Sequence, residues 1–269
     1  MSKLLEGKKG IIFGALDENS IAWKAAEKVH EHGGTFILSN APMALRLGKI
    51  NELAEKCSAE VIGADATSLE DLEALFNGAT EKLGGKIDFI LHSIGMSPNV
   101  RKKKDYGDLN YDWFQKTLDI SALSFHKVMQ TAEKLDVMNE WGSILGLSYI
   151  AAQRVFPDYS DMAEAKALLE SIARSFGYRM AVNKKVRVNT ISQSPTPTTA
   201  GTGVSGFDIF LDYADKMSPL GNASAEDCAN YIVMMFSDLS RMVTMQNLFH
   251  DGGFSSAGIT QAMIDSVKK

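Results

Sequence analysis

The chain has 269 residues, 45% of them hydrophobic and 23% charged, with a formal net charge of −5. That balance fits one large water-soluble α/β domain with a substantial core, and it argues against a nucleic-acid partner because the basic run Arg101, Lys102, Lys103, Lys104 stands alone. The two cysteines, Cys57 and Cys228, provide neither a disulfide framework nor zinc-site spacing.

No stretch approaches the roughly 20 apolar residues that span a bilayer, and residues 1–7 lack the features of a secretion signal. A reducing cytoplasm is the expected setting. Short apolar runs suited to buried strands alternate with longer amphipathic stretches, the rhythm of a parallel sheet covered by helices. Strands are predicted at 9–13, 35–39, 60–64, 87–92, 143–148, 186–191 and 246–250. The expected fold is a doubly wound, Rossmann-type parallel sheet of about seven strands with helices on both faces, in a single domain over 1–269.

The first helix shows Ile21, Ala22, Ala25, Ala26 and Val29 on one face and Lys24, Glu27, Lys28 and Glu31 on the other, with Gly33 and Gly34 to end it. A long helix is predicted over 159–180. Its apolar face (Ala163, Ala165, Leu168, Leu169, Ile172, Ala173, Phe176) is wider than a surface helix needs, so part of it is expected to meet another subunit. Residues 192–206, rich in Ser, Thr, Gly and Pro, open a segment over 192–217 that reads as a lid.

After the first strand the chain reads Gly14, Ala15, Leu16, Asp17, Glu18, Asn19, Ser20, Ile21, Ala22 and then enters the helix. A strand, a Gly turn and a helix N-terminus make an anion site, because free N–H groups and the helix dipole favour a pyrophosphate. The G-x-G-x-x-G fingerprint is absent, and a plain βα turn with Ser20 as cap explains this stretch equally well. Two later features favour a dinucleotide. Asp65 follows the third strand, where it can accept from an adenine amino group, and His92, Ser93, Ile94, Gly95 close the fourth, where a glycine admits a close cofactor.

Tyr159 and Lys166 are separated by six residues. At about 100° per residue, a helix would return them to nearly the same face. A nearby ammonium would help the phenol donate a strong bond to developing negative charge. The plainer reading is a buried tyrosine and an unrelated surface lysine. A second tyrosine, Tyr149, at the end of the fifth strand, argues against it.

With these residues in hand, the chain resembles the single-polypeptide bacterial enoyl-acyl carrier protein reductases of the short-chain dehydrogenase/reductase superfamily, nearly end to end. The resemblance is carried by Gly14-x5-Ser20-Ile21-Ala22, Asp65, His92-Ser93-Ile94-Gly95, Asp119-Ile120-Ser121, Leu147-Ser148-Tyr149, Tyr159-x6-Lys166, Val186-Arg187-Val188-Asn189 and Asp251-Gly252-Gly253-Phe254. The Tyr-x6-Lys spacing is the most diagnostic, because carbonyl-reducing members use Tyr-x3-Lys and position 163 here is Ala.

The resemblance implies reduction of a trans-2-enoyl-acyl carrier protein by a nicotinamide cofactor, the last step of the fatty acid elongation cycle, in a homotetramer. It implies three catalytic residues, with Tyr159 on the thioester carbonyl oxygen, Lys166 on the nicotinamide ribose and Tyr149 lining the substrate channel and assisting protonation. Cofactor contacts fall on Gly14, Ser20, Ile21, Asp65, Ala66, Ile94, Gly95 and Lys166, and on Thr196, Pro197, Thr198, Thr199 and Ala200; Ser97 falls where the family's backbone touches substrate. The departures from the pattern are Trp23 and Lys24 in the first helix, and Gln193, Ser194 and Pro197 around the lid.

Ser39, Asn40 and Ala41, at the end of the second strand, include neither an acidic residue to repel a 2′-phosphate nor a cation to bind one. Arg46 and Lys49 read as the next helix's solvated face, so NADH is expected ahead of NADPH. Two other readings compete: a carbonyl-reducing dehydrogenase, which would want Tyr-x3-Lys, and a catalytically silent dinucleotide-binding sensor, which would be expected to lose the Tyr or the Lys. The five histidines show no metal-ligand grouping, so no metal is expected. Met96 and Met162 are candidates to border an acyl channel, and the Arg101 to Lys104 run a candidate to meet an acidic carrier protein, a solvated loop being the simpler account.

Overall fold

Alternate residues of a strand point to opposite faces, so strands apolar on both faces need cover on both. In β1 (Lys9–Phe13), Ile11 and Phe13 enter one core and Ile12 the other. A computed structural model describes residues 3–199, 201 and 206–268. Beside β1 it places β2 (Thr35–Ser39), β3 (Glu60–Val61), β4 (Ile87–His92), β5 (Met138–Ser148), β6 (Arg187–Gln193) and β7 (Asn247–His250). They form one seven-stranded sheet, order β3-β2-β1-β4-β5-β6-β7, parallel throughout.

The helices are α1 (Ile21–Glu31), α2 (Pro42–Leu47), α3 (Ile50–Lys56), α4 (Leu69–Lys82), α5 (Pro98–Arg101), α6 (Tyr111–Leu118), α7 (Ser124–Lys134), α8 (Met162–Lys184), α9 (Phe207–Met217), α10 (Ala225–Phe236) and α11 (Gln261–Val267). Leu72, Phe76, Val128, Leu169 and Phe176 bring α4, α7 and α8 onto one face, and Ala22, Ala26, Val29, Ile232 and Phe236 bring α1 and α10 onto the other. Among the described residues, no helix is long and apolar enough to cross a membrane.

Strands 9–13, 35–39 and 87–92 lie as predicted. The others differ where tertiary context decides. β3 stops at Val61 instead of 64, although Ala64 N still donates to Asn40 O (3.1 Å), because an edge strand has one partner to hold it. β5 begins at Met138 rather than 143: polar Asn139 and Glu140 hide its first half from an apolar pattern. β6 runs two residues beyond 191, where Ser192 and Gln193 pair with Phe249 and His250.

The long helix is the main correction. It starts at Met162, not 159, because Asp158 (φ +64°) and Ser160 (φ +50°) are left-handed and interrupt a helical path. It continues past 180 to Lys184, where left-handed Lys185 ends it and Val186 N bonds back to Met180 O. Leu169, Ile172, Ala173 and Phe176, predicted on a broad apolar face, are buried in the chain's own core, whereas Tyr178 and Val182 stay 66% and 61% exposed.

The rings of Phe89 in β4 and Phe236 at the end of α10 stack at 4.6 Å, both buried, and pin that helix to the sheet. Truncation leaves a cavity on top of the lost transfer energy. Phe236→Ala is expected to lower unfolding free energy by about 3–5 kcal/mol, read as a shift of the denaturant midpoint at constant slope.

Candidate active site

Phe13 of β1 lies in register with His92 of β4, so the chain leaves both strands side by side. Gly14 has φ +94°, and a Cβ there would stand 2.0 Å from the Ser93 carbonyl oxygen, an overlap only glycine avoids. Ser20 is the N-cap of α1, but its hydroxyl does not cap the helix. It donates to Asp17 O (2.7 Å) and accepts from Leu16 N (3.4 Å), closing the turn, and while Trp23 N and Lys24 N donate to Ser20 O, it leaves the first N–H groups of the helix, at Ile21 and Ala22, for an anion. Ile21 opens the helix half-buried. The unusual Trp23 is absorbed into the core, its Nε1 donating to Glu27 (2.9 Å), and Lys24 pairs with the same carboxylate (3.2 Å).

Other expected cofactor positions follow along the strand ends. Asp65 uses Oδ1 to accept from Thr67 N (2.9 Å) and Oγ1 (2.8 Å), which shapes the turn after β3. Ala66 has its methyl in the core, so a contact from it must come through the main chain. Among the described residues, buried Ser39 Oγ, at the end of β2, has no hydrogen-bond partner, nor has Ser192 Oγ at the end of β6. Asn40 Nδ2 is tied to Ala15 O (3.0 Å), while Arg46 is exposed on α2 and Lys49 is exposed just ahead of α3. The open helix end, the glycine approach and the unpartnered Ser39 hydroxyl fit a dinucleotide lying along this edge.

Past β4, Ile94 packs against the core. A Cβ on Gly95 would lie 3.6 Å from Lys166 Nζ and 3.9 Å from Met162 Cε, so the glycine leaves the space beside these two side chains unfilled. Met96 is held by Ser121, whose Oγ accepts from its N (3.0 Å) and donates to its carbonyl (3.1 Å). Ser121 belongs to a π-helical turn over Asp119–Leu123, a device frequent at functional sites. Ser97 is buried, and its side chain is committed to protein: it accepts from Val100 N (3.0 Å) and donates to Asp161 (2.6 Å).

Tyr149 leaves the end of β5 and its ring lies 5.1 Å from that of Tyr159. The predicted same-face geometry does not apply, since Tyr159 sits in the turn ahead of α8 and only Lys166 is on the helix. What unites them is β5. Buried Lys166 donates to Leu147 O (2.7 Å), two residues before Tyr149. Burial draws the Lys166 ammonium down to about 8 against an opposing pull from Glu170, so it is charged at neutral pH. Burial raises both phenols, Tyr159 further through Tyr149, so both keep their protons and can donate.

Some members of the site escaped the sequence reading. Glu170, one helical turn after Lys166, accepts from Ser148 Oγ (2.7 Å) and Gln153 Nε2 (3.0 Å), and so fixes the chain on both sides of Tyr149. Phe156 packs at 5.2 Å from Tyr149, 6.1 Å from Phe210 of α9 and 6.0 Å from Phe254, making an aromatic wall. Of these, only Phe254 stood in a motif. His92 is neutral, burial holding it at about 3. The Ser124 hydroxyl donates to Ile120 O (2.6 Å), so the 2.8 Å contact from His92 Nε2 is a donation by the ring.

The lid departures have structural work. Gln193 takes a bond from His250 Nδ1 (2.7 Å) and donates to Ala223 O (3.0 Å), while Ser194 Oγ accepts from Ala223 N (3.1 Å). Beyond Pro195, Thr196 is buried and donates to Ser194 O (3.0 Å). Pro197 precedes Thr198, whose Oγ1 accepts from Gly201 N (2.9 Å), and Thr199 reaches Asp17 of the first turn (2.5 Å). Ala200 and the stretch 202–205 of the lid lie outside the described residues.

The model for the family described as enoyl-(acyl carrier protein) reductase matches residues 14–255. An enoyl-[acyl-carrier-protein] reductase [NADH] of Rhizobium meliloti is 36% identical over 260 residues, 96% of this chain and 94% of that protein. The FabI of Rickettsia typhi, with the same NADH designation, is 33% identical over 264 residues, 97% and 99% of the two chains. The FabI–NADH complex from Alistipes finegoldii superposes with a TM-score of 0.96 at 62% identity, covering 97% of this chain and 92% of that one. Strand order, the glycine turn, the Tyr-x6-Lys pair and these end-to-end matches agree, and the chain belongs to the enoyl-acyl carrier protein reductase family.

Proposed function

We propose that the protein reduces the carbon–carbon double bond of a trans-2-enoyl-acyl carrier protein with NADH, closing a round of fatty acid elongation. The observation that carries this reading is the meeting of Tyr149, Tyr159 and Lys166 at the carboxyl end of β5, with the side-chain-free face of Gly95 before them. NADH, when bound, supplies the hydride that the β-carbon receives.

The protein's own part is positional and electrostatic. Tyr159, held protonated, donates to the thioester carbonyl oxygen, where negative charge grows as the enolate forms. Lys166, charged below about pH 8, holds the nicotinamide ribose hydroxyls. Tyr149 lines the channel, and Phe156, Phe210 and Phe254 give the acyl chain an apolar wall and exclude water. Ser97 meets the substrate through its main chain, its side chain being committed elsewhere. Gly14, Ser20, Ile21, Asp65, Ala66, Ile94, Gly95 and, in the lid, Thr196, Pro197, Thr198 and Thr199 line the cofactor.

NADH is favoured over NADPH because Ser39, Asn40 and Ala41 offer no cation to a 2′-phosphate. Arg101, Lys102, Lys103 and Lys104, all exposed at the end of α5, would meet the acidic carrier protein. The exposed Tyr178 and Val182 on α8 suit a subunit contact within a homotetramer, which light scattering on a size-exclusion column would register as four times the 29.3 kDa chain mass.

The test is nucleotide oxidation with a short trans-2-enoyl thioester. Wild type is expected to use NADH in preference to NADPH, Tyr159→Phe to lower kcat by about 10²–10³-fold, and Lys166→Ala to weaken NADH binding. Folded protein that binds NADH yet turns over no enoyl thioester would point to the silent sensor instead. The pH dependence follows from Lys166: its proton is held below about 8 and lost above it, so kcat/KM for NADH should fall above about pH 8. A profile flat to pH 10 would remove Lys166 as the cation.

A further inference from the structure

Between Tyr159 and the first residue of α8 lies Asp161, wholly buried. Among the described residues its carboxylate is held by neutral donors: Ser97 Oγ gives to Oδ1 at 2.6 Å, and Asn99 Nδ2 and Thr117 Oγ1 give to Oδ2 at 2.8 Å each. Thr117 has the Trp113 carbonyl as a second acceptor at 2.9 Å, the Asp161 oxygen being the nearer at 2.8 Å. A carboxylate out of water is expensive unless donors meet its lone pairs, and an apolar side chain of similar size would fill the place without that burden. The arrangement therefore specifies geometry more than it adds stability.

Each donor is itself anchored to a different wall of the site. Ser97 caps α5 and ends the Gly95–Ser97 loop that faces the substrate space. Asn99 exchanges two bonds of 3.1 Å with the main chain of Asn110, the N-cap of α6. Thr117 lies near the end of α6, just before the π turn whose Ser121 grips Met96. The turn fixed from the other side has left-handed Asp158 and Ser160 flanking Tyr159, conformations that persist in non-glycine residues only where the surroundings over-determine them.

The geometry points to Asp161 as the positioning residue of the reductase: it ties the Tyr159 turn to the Ser97 loop and so sets where the phenol stands relative to the bound enoyl carbonyl. This rests on the enoyl reductase reading above. Asp161 touches no reacting atom, and its effect passes through Tyr159 and the Ser97 main chain.

Asp161→Asn keeps the shape but turns an N–H₂ group toward one set of donors, so part of the clasp opens. Thr117→Val removes a single donor at constant shape. With wild type active on an enoyl thioester, Asp161→Asn is expected to lower kcat by roughly 10–100-fold, the scale of an ångström's misplacement, and Thr117→Val by several-fold. The NADH dissociation constant, followed by nucleotide fluorescence, should stay within about 2-fold of wild type because the nucleotide edge is untouched. The double variant should lose little beyond Asp161→Asn alone, since both changes act on one clasp.

A lowered Tm with full kcat in the folded variants, or losses that multiply in the double variant, would overturn the inference and leave a merely structural carboxylate. Should Asp161→Asn fail to fold, Thr117→Val decides: reduced kcat with retained NADH affinity upholds the clasp, and full kcat rejects it. Wild type that binds NADH but reduces no enoyl thioester would defeat the functional reading itself, and with it this inference, an outcome distinct from unaltered variants of an active enzyme.

Discussion

A parallel ladder sends the carboxyl end of every strand to the same edge of the sheet, and this protein's chemistry depends on that constraint. Gly14 follows β1, Ser39 ends β2, Asp65 follows β3, Ser93 and Gly95 follow β4, Tyr149 follows β5, and Gln193 and His250 close β6 and β7. No residue of this set needs its neighbours in sequence, because the sheet has already made them neighbours in space. The tightest point is the exit of β1 beside β4, where the Gly14 and Ser93 main chains come too close for any Cβ. Helix α1 starts only a short turn later, so the helix end that can hold an anion is placed by the strand spacing.

Along that edge the protein places charge sparingly and surrounds each buried charge with dipoles. Lys166 has the Leu147 carbonyl, Glu170 has Ser148 and Gln153, and Asp161 has Ser97, Asn99 and Thr117. Farther off, Arg187 gives its guanidinium to the carbonyls of Met235 and Ser240 at 3.0 Å each, tying β6 to the end of α10. In a poorly solvated region such contacts hold side chains strongly, and the same desolvation raises the two phenols and lowers the lysine. The result is two protonated phenol donors and one cation in a confined space, which suits an oxygen that becomes negative during reaction.

How far this could be read from the chain differs from element to element. β1, β2 and β4 are internal strands with apolar runs on both faces, and their bounds were legible to the residue. β3 at the edge and the polar first half of β5 were not, since their pairing is set by the neighbouring strand and not by their own composition. Lys166 and the two tyrosines stood in recognisable spacings. Glu170, Asp161, Phe156 and Phe210 did not, because each acquires its meaning from residues distant in sequence. Trp23, Gln193 and Ser194, which looked like disturbances of the pattern, are satisfied by partners that only the fold supplies.

The turn before α8 shows why the Tyr-x6-Lys spacing works although its tyrosine is not helical. In the Tyr-x3-Lys arrangement the tyrosine would take the place of Met162, on the helix one turn ahead of Lys166. A phenol there serves a carbonyl whose own carbon receives hydride, since the oxygen to be stabilised is bonded to the carbon being reduced. In an enoyl thioester the hydride goes to the β-carbon, and the oxygen that gains charge lies on the far side of the α-carbon. On the proposed reaction its donor must therefore stand farther from the lysine assigned to the nicotinamide ribose. A tyrosine in the turn ahead of the helix, flanked by left-handed Asp158 and Ser160, suits that requirement of the proposed reaction, and Gly95 leaves the space beside Met162 and Lys166 free of a side chain.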